Sequence, residues 1–258
     1  MSDAADRTRA REVLRVHSVL LLALLLPWVV FAIVAKSLWE TGGFVGDRTI
    51  LKVLHSHSSP GLDALATTLT DVGDTGPMVV LAVLIAGGLV LRRHYREALV
   101  FALSVGGTMA LTQALKALFA RPRPELWLSI KPALHYSFPS GHAMDTAALA
   151  AAISFLLWQN RAHWLAWTVG PLFALSVGWA RMYLGVHYPS DVVAGLASAV
   201  GWVTAMHVLF SLLFSLQRRH WHVALHQLLP FLFSPPKELS ASAATPGPIE
   251  AQQERPKS

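Results

Sequence analysis

Three cations and two histidines in this chain are spaced to handle a phosphate. Lys116 lies in an otherwise apolar run, where a central charge costs ~3 kcal/mol on insertion scales, so a partner or polar cavity is expected around it. Arg123 follows seven residues later, after Pro122 has ended the helix, so the chain can fold back and bring both cations to one anion. A guanidinium suits phosphate because its planar fork donates two parallel charge-assisted hydrogen bonds. Pro139-Ser140-Gly141-His142 then precedes an apolar run from Ala143. Ser140 reads as the N-cap of a helix whose free N–H groups at Gly141 and His142 make an anion site, and its hydroxyl can add a donor. Glycine lets the backbone approach a phosphate closely, and His142 at that terminus can protonate a leaving oxygen. Finally, Arg181 is followed by His187 and Asp191 at offsets of six and ten. Asp191 begins a helix after Pro189-Ser190 and can accept Nδ1–H from His187, leaving Nε2 free as a nucleophile.

Each piece alone has a plainer explanation. Lys116 could snorkel to an interface, the tetrapeptide could be an ordinary capped helix, and Asp191 could be a cap beside a surface histidine. Ten fixed positions in this order and spacing, however, arise by chance in fewer than about one in a million chains of this length at average composition.

The pattern Lys-x6-Arg-Pro, Pro-Ser-Gly-His, Arg-x5-His-x3-Asp resembles the type 2 phosphatidic acid phosphatase superfamily over about residues 76 to 214. The resemblance implies a phosphate cradle of Lys116, Arg123, Ser140, Gly141 and Arg181. It implies His142 as general acid, His187 as the nucleophile that becomes a phosphohistidine, and Asp191 as its partner. It also implies an enzyme that needs no metal ion or other cofactor. One departure is Ala180, where the family usually has a serine; this removes a possible hydroxyl contact but no catalytic group.

The elements that must position these residues are membrane spans. Six apolar stretches approach the ~20 residues needed to cross ~30 Å of hydrocarbon, near residues 18–36, 76–91, 97–119, 143–158, 163–180 and 192–214. The expected fold is therefore all-α, a polytopic six-transmembrane-helix bundle. The segment 37–75 between the first two spans suggests outward-facing amphipathic helices broken at Ser58-Ser59-Pro60-Gly61. Basic clusters at Arg7 to Arg15, Arg92 to Arg96, Arg161 and Arg218-Arg219 alternate with the other loops, which places both termini in the cytoplasm. The loops 37–75, 120–142 and 181–191, and with them the active site, then face the periplasm or exterior of a bacterial inner membrane. Arg121, Arg123, Lys131 and Arg181 on those loops violate the positive-inside tendency, and such a violation needs a reason.

The basic N-terminus resembles a secretory signal, but the uncharged run from Val19 to Ala35 exceeds the usual 7 to 15 residue core, so the first span should be retained. Residues 1–17 then form a cytoplasmic segment and 76–214 a phosphatase core with five spans. Residues 215–233, with Trp221, His222 and His226, read as a cytoplasmic interfacial helix, and 234–258 as a disordered tail. His55-Ser56-His57 reads as surface decoration, and Asp145 either tunes His142 or complements a helix dipole, the latter being favoured.

Composition agrees with a membrane protein. Of 258 residues, 53% are hydrophobic and 14% charged, against about 25% charged in soluble chains. The net charge of +6 sits beside apolar runs and reports topology, so no nucleic-acid partner is expected. The absence of cysteine excludes thiolate chemistry and cysteine zinc sites, and His222 and His226 lack the intervening glutamate of a zinc helix. The expected partner is a membrane lipid phosphate, of the undecaprenyl pyrophosphate, phosphatidylglycerophosphate, phosphatidic acid or lipid A phosphate kind. The nearest rival is a lipid-to-lipid phosphotransferase with the same site. A soluble peroxidase would not need six apolar spans, and a transporter would not need a phosphate cradle beside a paired His187 and Asp191.

Overall fold

The computed structural model describes residues 22, 24–158, 160–161 and 163–233, with side chains as far as 214. The expected N-terminal segment 1–17, the tail 234–258, and the expected interfacial roles of Trp221, His222 and His226 lie outside the described residues or side chains. The chain divides into two units at Leu212–Leu213. Everything below concerns the first; of the second, only the backbone of the last helix and the first side chains are described.

The described residues form α-helices and connecting turns, with no strand. In chain order the helices are α1 Leu24–Thr41, α2 Asp47–Ser56, α3 Pro60–Val72, α4 Thr75–Leu91, α5 Tyr95–Phe119, α6 Gly141–Leu156, α7 His163–Tyr183 and α8 Pro189–Phe233. The break between α2 and α3 follows local chemistry. Pro60 opens α3 with φ already set, and the Ser59 hydroxyl accepts from the Leu62 N–H. Helix α5 ends on Ala120 in a left-handed conformation, φ 43°, with its N–H returned to the Lys116 carbonyl. The prolines that follow hold Arg121 and Arg123 on extended chain.

Helix α6 is central, packed against α4, α5 and α7. Its small side chains Ala147, Ala148 and Ala152 join Phe101 and Val105 of α5, Ala174 of α7 and Val203 of α8 in one buried cluster. Close packing of small residues is how helices associate where lipid removes the hydrophobic drive. Gly195 of α8 is a close case near the site, since a Cβ there would stand 2.8 Å from the Ser140 carbonyl. The outward faces are apolar too: Leu25, Val29 and Ile33 of α1, Val80, Val83 and Leu84 of α4, and Leu172 and Leu175 of α7 are all exposed. A bundle apolar inside and out is built for lipid.

Length separates the helices. Leu24–Thr41, Tyr95–Phe119 and Pro189–Phe214 are long and apolar enough to cross a membrane, and α3 with α4, bent by 43°, would make a fourth span. Helices α4 and α6 have 17 and 16 residues, only ~25 Å of helix against ~30 Å of hydrocarbon. Helix length thus supports three or four spans directly, fewer than the six read from sequence. Helices α4 and α6 fall short in length, whereas α7 has 21 residues and is not among the helices that meet both criteria.

The turn between α7 and α8 depends on Gly185, which has φ +69° and whose Cβ would meet Trp127 at 2.5 Å. Trp127 in turn stacks on His55, ring centroids 4.1 Å apart, so His55, exposed as expected, also packs on this loop. Gly185→Ala is expected to lower stability by ~1–3 kcal/mol through left-handed strain and overlap. Thermal unfolding in detergent should show the loss, and Trp127→Ala in the same chain should recover part of it. An equal loss with or without Trp127 would show that the ring is not the obstacle.

Candidate active site

All three sequence elements meet at one end of the bundle, where α5 and α7 end and α4, α6 and α8 begin. They line one cavity of about 300 Å³, whose walls include Lys116, Arg123, Gly141, His142, Arg181 and His187, with Thr75, Gln113 and Asp145. Lys116 lies one turn from the end of α5, and a Cβ on Gly141 would stand 3.6 Å from its Nζ. Ser140 is at the N-cap of α6, but its hydroxyl makes no capping bond, contrary to the simplest reading of the sequence. That Oγ is buried without a partner, as is Nε of Arg181, a guanidinium only 3% exposed. Ser140 is instead fixed through its backbone, its N–H donating to the Asp191 carbonyl at 3.0 Å.

Arg123 is held by carbonyls. Its Nε donates to His135, Nη2 to Leu134, and Nη1 to Val186, and Nη1 also stands 3.1 Å from Nε2 of His187. A guanidinium only donates, so Nε2 accepts and the proton of the neutral ring belongs on Nδ1. That nitrogen faces Oδ2 of Asp191 at 3.6 Å, longer than the hydrogen bond expected from the sequence. Burial pushes the His187 pKa well below the usual value, and the charges of Arg181, Arg123 and Lys116 push it further. The ring is therefore neutral, with its lone pair in the cavity.

Asp191 itself is fully buried and firmly held. Oδ1 accepts from Nη1 of Arg121 at 2.6 Å, and Oδ2 accepts the Tyr188 N–H at 2.8 Å. The same Arg121 reaches Asp47, the first residue of α2, at 2.9 Å and the Gly42 carbonyl at 3.2 Å, while its guanidinium lies over the Tyr188 ring. Ser190 closes the cluster, its N–H and hydroxyl both donating to Asp47. Gly43 is required here, because a Cβ would overlap the guanidinium of Arg121.

Sequence reasoning missed four contributors. Arg121 carried a signal, its breach of the positive-inside tendency. Asp47 carried none. Asp74, at the N-cap of α4, leaves the helix uncapped and instead places Oδ1 3.1 Å from Nε2 of His142. Thr75 donates to Asp145 at 2.7 Å, which makes Asp145 part of the cavity wall rather than a complement to the helix dipole.

The PAP2 superfamily model matches residues 97–215. Decaprenylphosphoryl-5-phosphoribose phosphatase of Mycobacterium tuberculosis is 36% identical over 144 residues, 54% of this chain and 75% of that protein. The chain belongs to the PAP2 superfamily. Phosphatidylglycerophosphatase B of Bacillus subtilis is 28% identical over 175 residues, 65% of this chain and 84% of that protein. The crystal structure of a transmembrane PAP2 type phosphatidylglycerolphosphate phosphatase from Bacillus subtilis superposes with a TM-score of 0.67. It covers 73% of this chain and 96% of that one at 24% identity, a likeness of fold. This PAP2 protein is a multi-pass membrane enzyme that hydrolyses phosphoric monoesters or diphosphates.

The Arg121 cluster yields a direct test. Arg121→Met keeps bulk but strands Asp47 and Asp191 as buried carboxylates, which should cost ~3–5 kcal/mol. Asp47→Asn leaves the Arg121–Asp191 pair in place and should cost less. Thermal unfolding in detergent that ranks Asp47→Asn below Arg121→Met in stability would contradict this order.

Proposed function

We propose that this protein is a metal-independent lipid phosphatase that cleaves a phosphate monoester or pyrophosphate through a phosphohistidine on His187. The observation that carries the reading is the buried Arg181 guanidinium, whose Nε has no acceptor, in a cavity it shares with Lys116, Arg123 and a neutral His187. Cations placed in advance around a small cavity stabilise the charge of a transferring phosphoryl group without reorganisation. The superfamily and the names of its similar members support a lipid substrate of the phosphatidylglycerophosphate, undecaprenyl pyrophosphate or phosphatidic acid type.

The steps follow from the geometry. A phosphoryl oxygen entering the cavity takes over the Arg123 donor that now faces His187 and uncovers the Nε2 lone pair. Nε2 attacks phosphorus as the bond to the leaving oxygen breaks, and His142 delivers the proton that oxygen needs. Asp191 stabilises the ring as it becomes positive. Water then attacks the phosphohistidine, gives its proton to His142, and releases inorganic phosphate. Lys116, Arg123, Arg181, the Ser140 hydroxyl and the N–H groups at Gly141 and His142 hold the oxygens throughout.

Radiolabelled substrate, quenched in acid in the presence of a strong chelator, should leave phosphate on a peptide containing His187. His187→Ala should abolish both label and turnover, and Asp191→Asn should reduce turnover on the order of 10³ to 10⁴. His142→Ala should retain more activity on a nitrophenyl phosphate than on an alkyl monoester, whose alkoxide needs its proton. Label that persists in His187→Ala and maps to His142 would reverse the two roles, and loss of all label in chelator would overturn metal independence.

We also infer six spans, α1 and α4 to α8, with the site on the periplasmic or exterior face and both termini in the cytoplasm. The chain has no cysteine of its own. Leu128, beside the site, is 96% exposed, and Leu91, at the far end of α4, is 87% exposed. An impermeant thiol reagent applied to intact cells should label Leu128→Cys and spare Leu91→Cys; the opposite pattern would invert the topology.

A further inference from the structure

The cavity contains a carboxylate that phosphate binding and proton transfer leave unused. Asp145 is 3% exposed, one turn into α6. Oδ2 accepts from Thr75 at 2.7 Å, while Oδ1 is buried in the cavity wall without a donor. Three residues before it, and so on the same face of α6, is His142, whose Nε2 faces Asp74. His142 marks the side where the leaving oxygen sits, because it supplies that oxygen's proton and His187 attacks from the opposite side of phosphorus. Asp145 lines the cavity together with Thr75 and Gln113 and with the cations of the cradle, and Asp74 adjoins it through His142.

We propose that Asp145 forms a headgroup subsite, in which its free Oδ1 accepts a hydrogen bond from a hydroxyl of the alcohol that the phosphate esterifies. The preferred substrate is then a phosphate monoester of a hydroxyl-bearing lipid headgroup, a polyol or a sugar, over a lipid diphosphate. This rests on the phosphatase reading above. A polyol supplies the donor that Oδ1 lacks. A diphosphate offers only acceptor oxygens there and brings a second negative charge against two carboxylates.

The test uses the full-length protein in detergent and measures phosphate release from three probes. These are phosphatidylglycerophosphate, its deoxy analogue built on propanediol, and farnesyl diphosphate. Wild-type protein should prefer the hydroxyl-bearing monoester to the deoxy compound by roughly 10- to 100-fold in kcat/KM, the worth of one hydrogen bond to a charged acceptor. In Asp145→Ala that ratio should fall to near one, and the diphosphate should gain on the deoxy monoester. Asp145→Asn keeps an acceptor and sheds the charge, so it should retain part of the hydroxyl preference while the diphosphate gains. A wild-type ratio near one, or a ratio that Asp145→Ala leaves unchanged, would overturn the subsite. Should Asp145→Ala fail to fold, the Asn variant decides, and an unchanged preference between diphosphate and deoxy monoester would overturn it. Release from none of the three probes by wild-type protein would instead sink the phosphatase reading, and the subsite with it.

Discussion

One guanidinium, that of Arg121, holds the reactive end of this protein together. It lies 95% buried between Asp191, which faces His187, and Asp47, which belongs to a helix 74 residues upstream. Two carboxylates against one cation would leave a surplus negative charge in a dry place, at a cost of several kcal/mol per unpaired ion. The donors of Ser190 and the Tyr188 N–H absorb it. Arg121 and Arg123 stand two residues apart, on either side of Pro122, and take different partners. One secures the carboxylate behind His187, and the other meets the face from which His187 would attack.

The site is expensive to maintain. Ser140 Oγ, Arg181 Nε, Asp145 Oδ1 and His187 Nδ1 are all buried without a partner, and each such atom typically costs ~1–3 kcal/mol. Four of them near one cavity are tolerated because rigid elements surround it. The seat of α8 against the Ser140 carbonyl at Gly195, and the Gly185 turn beneath Trp127, leave the backbone little room to relax. Stability is given up locally so that the polar groups need not move when a charged ligand arrives.

Much of this was legible in the sequence, because catalysis demands particular residue types and helix geometry fixes their offsets. Lys116, Arg123, Ser140, Gly141, His142, Arg181 and His187 line or adjoin one cavity, and Asp191 stands directly behind His187. What stayed hidden is what distance in sequence conceals. Asp47 and Asp74 act through contacts 74 and 68 residues long, and nothing in their neighbourhoods distinguishes a partnered aspartate from a helix cap. Hydropathy marks α4 and α6 as apolar, but with 17 and 16 residues their length alone does not make them spans. Asp145 was read as a dipole complement, which is what an acidic residue near a helix start usually is.

The Asp47–Arg121 contact bears on how the protein could be divided. The superfamily model begins at residue 97 and embraces His187, His142, Lys116, Arg123 and Arg181. A fragment cut to that outline would nonetheless expose Arg121 on one side and deprive His142 of Asp74. The contacts that hold the site therefore extend beyond that outline, back to Gly42. The upstream helices thus act on the site through a few separated contacts, Asp47 on Arg121 and Asp74 on His142, rather than through a continuous motif.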